Sequence, residues 1–480
     1  MKKSVFLILL LMIPALFVSA SPAKKAYRIK VKISDLKDTV CFLANYFGDK
    51  TYLQDTAKID KDGKFEFSGD EPLARGIYII AKGNKRLFEF LIDKSQSFSI
   101  ETQGEDYVKN MKFKDSPENT WFYDYLRFNS KKYEETEPWL KLQKTVKNNK
   151  DSIALIKRKL EAENKEVENY KLDFIKAHGD AFMSHFFLAM KDPVLPEAPL
   201  KPDGKRDSVY LFHWYKDHYW DNTDLNDDAL LRTPFFHSKI VTYFDKLIIQ
   251  QPDTLIIEID KMIDRVRSNK EMFKYFVWYL TNWSEISQIM TFDKIFVHMV
   301  ETYYVTGQAY WVNPTVLENL TKKARQWKPI LVGQPAPNMV MLDSNLRPSA
   351  LLAVKAKYTI IYFWDPECGH CKVESPKLSA FYHEKKDKYG VEVFSVCSDT
   401  NMVKMKEYIK KNKFDWINVN GPRTLTVNYH DLYNITATPV VYILDEKKTI
   451  IAKKLSVDQI GDFLDRWEKF QAEDKTGTKK

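Results

Sequence analysis

Residues 358–376 read YTIIYFWDPECGHCKVESP, and no other stretch restricts so tightly what this chain can fold into. The first seven residues are apolar, β-branched or aromatic, the composition of a strand buried on both faces. Asp365-Pro366 breaks the run, since proline donates no N–H and turns its predecessor away from helix. Cys368 and Cys371 then stand three positions apart where a helix should begin. The unpaired N–H groups and the positive dipole end of a helix start favour a thiolate at the first cysteine. The second is close enough to attack a mixed disulfide formed by the first.

The remainder of the chain supplies context for that dithiol. With 480 residues it exceeds what one core supports, and two or three domains are expected. The net charge of +9 is spread among acidic residues rather than massed, which argues against nucleic acid as a partner. Lys2 and Lys3 precede an apolar run from Val5 to Val18, followed by Ser19-Ala20 at the cleavage positions of a secretory signal. The run is short and wrongly flanked for a membrane span, leaving an uncleaved anchor as the alternative, and no cysteine follows it to carry a lipid. Export would permit disulfides, yet four cysteines cannot form a stabilising framework in a chain of this length. Cys41 and Cys397 each fall in an apolar strand-like run and read as buried, inert thiols, with a bridge between them left open.

From Tyr27 to Thr102 the pattern is β. YRIKVKI alternates strictly, VCFLANYF follows, and Asp60-Lys61-Asp62-Gly63 before KFEFSG gives a hairpin signal. RGIYIIA, LFEFLI and SFSIE complete six or seven short strands, the spacing of an antiparallel sandwich or small barrel. From about Pro117 to Trp327 the period becomes helical. Between Asp151 and Lys176, Ile153, Ile156, Leu160, Val167, Tyr170 and Phe174 form a stripe, and Gly179 is positioned as a C-cap. Further helices are expected near 205–220, 236–249, 254–266, 270–280, 285–305 and 314–326.

Several local patterns invite a functional reading that their spacing does not favour. His213, Asp217, His218 and Asp221 share a helix, but the five-residue step between the histidines spreads them around it. Asp224 to Asp228 resembles the start of a calcium loop, with Ala229 in place of the turn glycine and Phe235 in place of the bidentate glutamate. Asn282, Asn319 and Asn434 begin glycosylation sequons that matter only in a eukaryotic secretory route.

A break at LVGQPAPNM leads into alternating strands and helices: MVMLD, YTIIYFW, a helix from Cys368 to Lys388, VEVFSVC, a helix from Val403 to Lys411, INV, a helical piece near Leu425 to Tyr433, VVYILD, TIIAKKL and a last helix from Val457 to Phe470. That order implies an α/β domain with a central parallel pair and a terminal antiparallel hairpin. Gly333-Gln334-Pro335-Ala336-Pro337, YTIIYFW, Cys368-Gly369-His370-Cys371, Glu374, Pro376 and Thr438-Pro439 together resemble the exported thioredoxin-like disulfide reductases of the TlpA and ResA kind. The β-rich and helical regions look like accessory regions found ahead of such domains in bacterial envelope proteins. The fold class read here is therefore multidomain. A signal peptide spans 1–20, an antiparallel β-sandwich or barrel 21–115, an α-helical middle domain 116–327 and an α/β thioredoxin fold 328–480.

The resemblance implies roles. Cys368 is the exposed nucleophile and Cys371 the resolving thiol. Glu374 shuttles a proton to or from the pair, and Pro439, in a cis bond after Thr438, lies against the dithiol. Gly369, His370, Thr438 and Trp364 tune it. A charged His370 favours the thiolate, whereas Asp365 and Glu367 oppose it by charge. Pro376 predicts a kink in the following helix. The implied partners are protein disulfides or dithiols and a redox donor protein, in the periplasm, with no cofactor, no metal and no nucleic acid. Other readings are a non-catalytic envelope binding or scaffold protein, a metal-thiol chaperone, or a thiol peroxidase. For the last, Asp365 stands where the threonine of its Pro-x-x-x-Thr-x-x-Cys setting belongs.

Overall fold

The computed structural model describes residues 25–146 and 149–475, so the export signal read at 1–20 lies outside the described residues. The chain divides into two compact units, with the boundary between Tyr243 and Phe244, inside the helical stretch.

The first unit opens with eight strands: β1 (Tyr27–Ile33), β2 (Val40–Phe47), β3 (Lys50–Lys58), β4 (Lys64–Gly69), β5 (Gly76–Lys82), β6 (Lys85–Ile92), β7 (Ser97–Thr102) and β8 (Lys112–Lys114). They form two four-stranded sheets, ordered β4-β1-β7-β8 and β3-β2-β5-β6. Alternation sets their inner faces: Tyr27, Ile29, Val31 and Ile33 of β1 are all buried, while the residues between them face outward. Phe90 of one sheet meets Phe98 of the other edge-on at 5.9 Å. Pairing is antiparallel except for β1 with β7, which run parallel because most of the other sheet is traversed between them.

The Asp60–Gly63 turn departs from the hairpin reading. It carries the chain from β3 in one sheet to β4 in the other, and those strands do not pair. Asp60 accepts from the N–H groups of Asp62 and Lys64, both at 2.8 Å, and the Gly63 carbonyl accepts from Ile33 N at 2.9 Å. Gly63 has φ +79°, and a Cβ there would stand 2.3 Å from the Ile33 carbonyl oxygen, so only glycine fits this corner.

Helices complete the unit: α1 (Tyr107–Asn110), α2 (Pro117–Thr145), α3 (Lys150–Ala177), α4 (Phe182–Ala189), α5 (Ser208–Asp217) and α6 (Phe236–Thr242). The amphipathic stretch expected from Asp151 is α3, and it forms an antiparallel pair with α2. Tyr170 packs on Tyr125 and Phe128, and Lys132 bonds Glu163. In the apolar stripe only Ile156 and Phe174 are fully buried. Gly179 is not the cap. His178 ends α3 with φ −137°, its N–H bonded to the Phe174 carbonyl and its ring stacked 4.2 Å from Trp121. Aromatic stacking thus ends the helix without a left-handed turn.

A polar cluster around two buried carboxylates ties this unit together. Arg75 donates to Asp93 at 2.8 Å and to Asp227 at 3.3 Å, Asp93 caps the N–H of Phe182, and His185 Nδ1 lies 2.6 Å from Asp227. The bond to Asp227 raises the His185 pKa above the ordinary imidazole value of 6.5, against the opposing effect of burial and of Arg75. A raised folded-state pKa means that the stabilisation is whole below pH 6.5 and fades as pH rises through the folded value. Urea midpoints of wild type and His185→Gln should therefore differ most below pH 6.5 and converge as pH rises above the folded value. A pH-independent difference would contradict this assignment.

The second unit begins with α7 (Pro252–Val266), α8 (Lys270–Ile286), α9 (Asp293–Met299) and α10 (Pro314–Trp327). It continues through β9 (Val340–Asp343), β10 (Pro348–Ala350), β11 (Tyr358–Trp364), α11 (Gly369–Tyr389), β12 (Val391–Cys397), α12 (Met402–Asn412), β13 (Ile417–Thr424), α13 (Tyr429–Tyr433), β14 (Val440–Leu444), β15 (Ile450–Lys453) and α14 (Ile460–Lys475). The seven-stranded sheet has order β10-β9-β13-β12-β11-β14-β15. β11, β12 and β13 run parallel, and β14 and β15 form the terminal antiparallel hairpin. Every residue of β11 is buried. Tyr358, Ile360, Tyr362 and Trp364 face one core, and Ile361 and Phe363 the other, which explains its unbroken apolar run.

The helices preceding the sheet are tied to it by a buried ion pair. Lys453 of β15 bonds Asp293 of α9 and donates to the Ile330 carbonyl at 2.8 Å, and the other Asp293 oxygen has no hydrogen-bond partner. Burial pushes the Asp293 carboxyl up, against the pull of Lys453. Lys453→Met should destabilise the protein by roughly 3 kcal/mol by stranding that carboxylate, measured by chemical denaturation, and the double variant Lys453→Met/Asp293→Leu should recover much of the loss.

Candidate active site

β11 delivers its C-terminal end to the start of α11, and the turn between them is built by Asp365. Its carboxylate accepts from Glu367 N at 2.8 Å and from the Ser398 hydroxyl at 2.6 Å, and its carbonyl accepts from Cys368 N at 3.2 Å. Cys368 is the N-cap of α11, with φ −69° and ψ 122°. Its sulfur accepts from the Cys371 N–H at 3.4 Å and lies 3.2 Å from the Thr438 carbonyl oxygen, to which the protonated thiol donates. A cysteine in the position usually held by serine or aspartate thus meets the orphan N–H of the first turn.

The two thiols have opposite environments. Cys368 is partly exposed, whereas Cys371 is fully buried in the core beside Trp364 and Leu378. Burial works against the Cys368 thiolate, but bonds from the Cys371 backbone and side chain, the Thr438 side chain and the His370 backbone outweigh it. Its pKa falls below the usual cysteine value. Burial pushes Cys371 up to about 12. All four cysteines are free, and burial likewise raises Cys41 to about 11 and Cys397 to about 12.

Of the remaining residues singled out in the sequence, the structure brings several to this turn. The Thr438–Pro439 bond is cis, and Thr438 contacts Cys368 through its carbonyl. Trp364 is fully buried, its indole N–H 3.3 Å from the Ser395 hydroxyl. His370 is exposed, and a Cβ on Gly369 would meet nothing within 4 Å, leaving the approach to Cys368 open. Glu374 is not hydrogen-bonded to either cysteine; its oxygens accept from Lys377 at 3.0 Å and from Val457 N at 3.1 Å. Pro376 stands within α11, which continues past it.

Both acidic residues before Cys368 have partners, and only Glu367 is paired with cations. Asp365 is engaged by Ser398 and the turn N–H, and Glu367 is paired with Lys404 at 2.8 Å and Lys372 at 3.9 Å. Sequence reasoning missed Lys404, Ser398 and two tyrosines. The Tyr408 hydroxyl donates to the Cys371 carbonyl at 3.1 Å, and the buried Tyr362 hydroxyl lies 2.8 Å from that of Ser375. Only the helical spacing of Lys404 and Tyr408 was available as a signal, and spacing does not show which neighbour a helix face meets.

The arrangement is one reactive thiol above one shielded thiol. Brief iodoacetamide treatment of the reduced protein at pH 7, followed by peptide mapping, should modify Cys368 at least ~10-fold faster than Cys371, Cys41 or Cys397.

Known proteins resemble three stretches of the chain. The AhpC/TSA family matches residues 332–453, and two domains of unknown function, DUF4369 and DUF5106, match 27–122 and 144–326. The chain is similar to "Thiol-disulfide oxidoreductase ResA" of Bacillus cereus, 25% identical over 124 residues, which cover 25% of this chain and 68% of that protein. It is 30% identical over 126 residues to "Sporulation thiol-disulfide oxidoreductase A" of Bacillus subtilis, covering 25% of this chain and 74% of that one. A solved domain of a possible thiol-disulfide isomerase from Cytophaga hutchinsonii shares 36% identity, with 30% of this chain and 96% of that chain covered and a TM-score of 0.28.

Proposed function

This chain belongs to the thioredoxin-like thiol-disulfide oxidoreductases through its C-terminal domain, and from that premise we propose that Cys368 and Cys371 exchange electrons with disulfides of other proteins in the cell envelope. The contrast between a capped, partly exposed Cys368 and a buried Cys371 carries this reading.

The reaction proceeds in two displacements. The Cys368 thiolate attacks one sulfur of a substrate disulfide, forming a mixed disulfide and releasing the first substrate thiolate. Cys371 then loses its proton and attacks Cys368 Sγ, closing the Cys368–Cys371 disulfide and releasing the second substrate thiolate. The substrate gains the two electrons that the dithiol loses, and a donor dithiol protein returns them. Glu374, three residues beyond Cys371 and half-buried, is the proposed proton acceptor for the second step. To take that proton its carboxylate would turn from Lys377 towards Cys371. Thr438 and Pro439 border the position of the incoming sulfur, and Trp364, Gly369 and His370 shape the turn that receives it.

The envelope assignment rests on the basic-apolar leader of residues 1–20. Among the described residues no helix is long and apolar enough to cross a membrane. Reduction of insulin by a dithiol donor tests the activity. Cys368→Ser should abolish it, and Cys371→Ser should accumulate a mixed disulfide that excess dithiothreitol releases. Turnover by Cys368→Ser at the wild-type rate would overturn the proposal.

A further inference from the structure

Helix α12 has no part in the exchange as written above, yet it touches the redox motif on both sides. Lys404 and Tyr408 are four residues apart and so share one face. Lys404 pairs with Glu367, the residue before Cys368, at 2.8 Å. Tyr408 reaches past the motif: its hydroxyl donates to the Cys371 carbonyl at 3.1 Å, and its ring stacks on Trp364 at 4.9 Å and 25°. We propose that α12 is a clamp on the Cys368–Cys371 turn, with Lys404 and Tyr408 as positioning residues that set how much of Cys368 is thiolate. The proposal rests on the dithiol being the reactive centre.

The turn needs such a clamp because of Pro376. A helical residue at 376 would donate its N–H to the carbonyl of Lys372, and proline cannot. The first turn of α11, which holds the Cys371 N–H against Cys368 Sγ, is therefore joined to the rest of the helix by one bond fewer. The Tyr408 hydroxyl supplies a tie from outside, on the carbonyl of the residue whose N–H faces the sulfur. Lys404 acts by charge, since it cancels the carboxylate nearest the thiol in sequence.

The base of the clamp is rigid. Asn401 caps α12 by accepting from Val403 and Lys404 N–H groups at 3.0 and 3.2 Å. The loop before it is fastened by Asn420, which donates to the Asp399 carbonyl at 2.7 Å, and by Arg423, which donates to the Thr400 carbonyl at 3.1 Å. Met405, between the two clamp residues, is fully buried in the same core as Cys371. The titratable groups facing the turn are Asp365 and Glu367 before it, His370, Lys372 and Glu374 on α11, Tyr362 on β11, Cys397 on β12, and Lys404 and Tyr408 on α12; Thr438–Pro439 adds none.

The test is the pH profile of Cys368 alkylation in the full reduced chain, read by peptide mapping, together with the equilibrium constant against glutathione. Tyr408→Phe keeps the stacked ring and loses only the hydroxyl; Lys404→Met leaves Glu367 to the more distant Lys372. Each should lower the thiolate fraction at pH 7 by about 3-fold or more and make the dithiol less oxidising, and Lys404→Arg should restore the wild-type profile. A role confined to packing would lower the melting temperature and leave the profile in place. Unmoved profiles in both Tyr408→Phe and Lys404→Met overturn the clamp. Insulin turnover by wild type separates the two claims. If wild type turns over and the profiles do not move, the clamp alone fails. If the profiles move and wild type is inert, the exchange activity alone fails.

Discussion

The two cysteines of the redox motif are set apart by the start of a helix, where the N–H of Cys371 meets the sulfur of Cys368 in a weak hydrogen bond. It exists because a strand buried on both faces ends at a turn that aims the first amide groups of a helix at the N-cap side chain. An oxygen in that position would only stabilise the helix, by about 1 kcal/mol. A sulfur there is stabilised as an anion by the same N–H groups, so the interaction that starts the helix also favours the thiolate. The second thiol, one turn further on, points into the core and loses its charge there. Two identical side chains three residues apart thereby acquire opposite properties from local geometry alone.

What could be read in the sequence was whatever depends on near neighbours along the chain. The strand-to-helix break at Asp365-Pro366, the βαβ order and the helix that follows Cys368 are local signals, and the structure contains all three. The cis bond at Thr438–Pro439 was legible through the family likeness, since an X-Pro pair alone favours trans. The features that escaped depend on distant contacts. Nothing near Glu367 in the chain announces that Lys404 neutralises it. The turn at Asp60–Gly63 has hairpin chemistry, yet its flanking strands part, β4 pairing with β1 in one sheet and β3 with β2 in the other. Gly179 was a reasonable C-cap until Trp121 supplied a ring for His178 to stack upon.

The helical stretch shows the same limit at larger scale. Its period is uniform in sequence, yet the chain contacts divide it at Tyr243, assigning α2 to α6 to the β-rich unit and α7 to α10 to the redox unit. Hydrophobic periodicity reports that a helix has an inner face and not what that face meets. Within the redox unit, the Lys453–Asp293 pair explains how helices with no sequence likeness to the sheet become part of its structure: a charge on the last strand is satisfied only by a residue of α9 and a carbonyl at Ile330.

All four cysteines being free has a consequence for how the molecule is made. Cys41 and Cys397 are each sealed in a core, and the fold holds no cross-link of its own. A catalyst of disulfide chemistry that needed a disulfide to fold would depend on another such catalyst for its own biogenesis. In the described residues the fold is held by packing and hydrogen bonding with no disulfide in it, so nothing in its architecture calls for an oxidant.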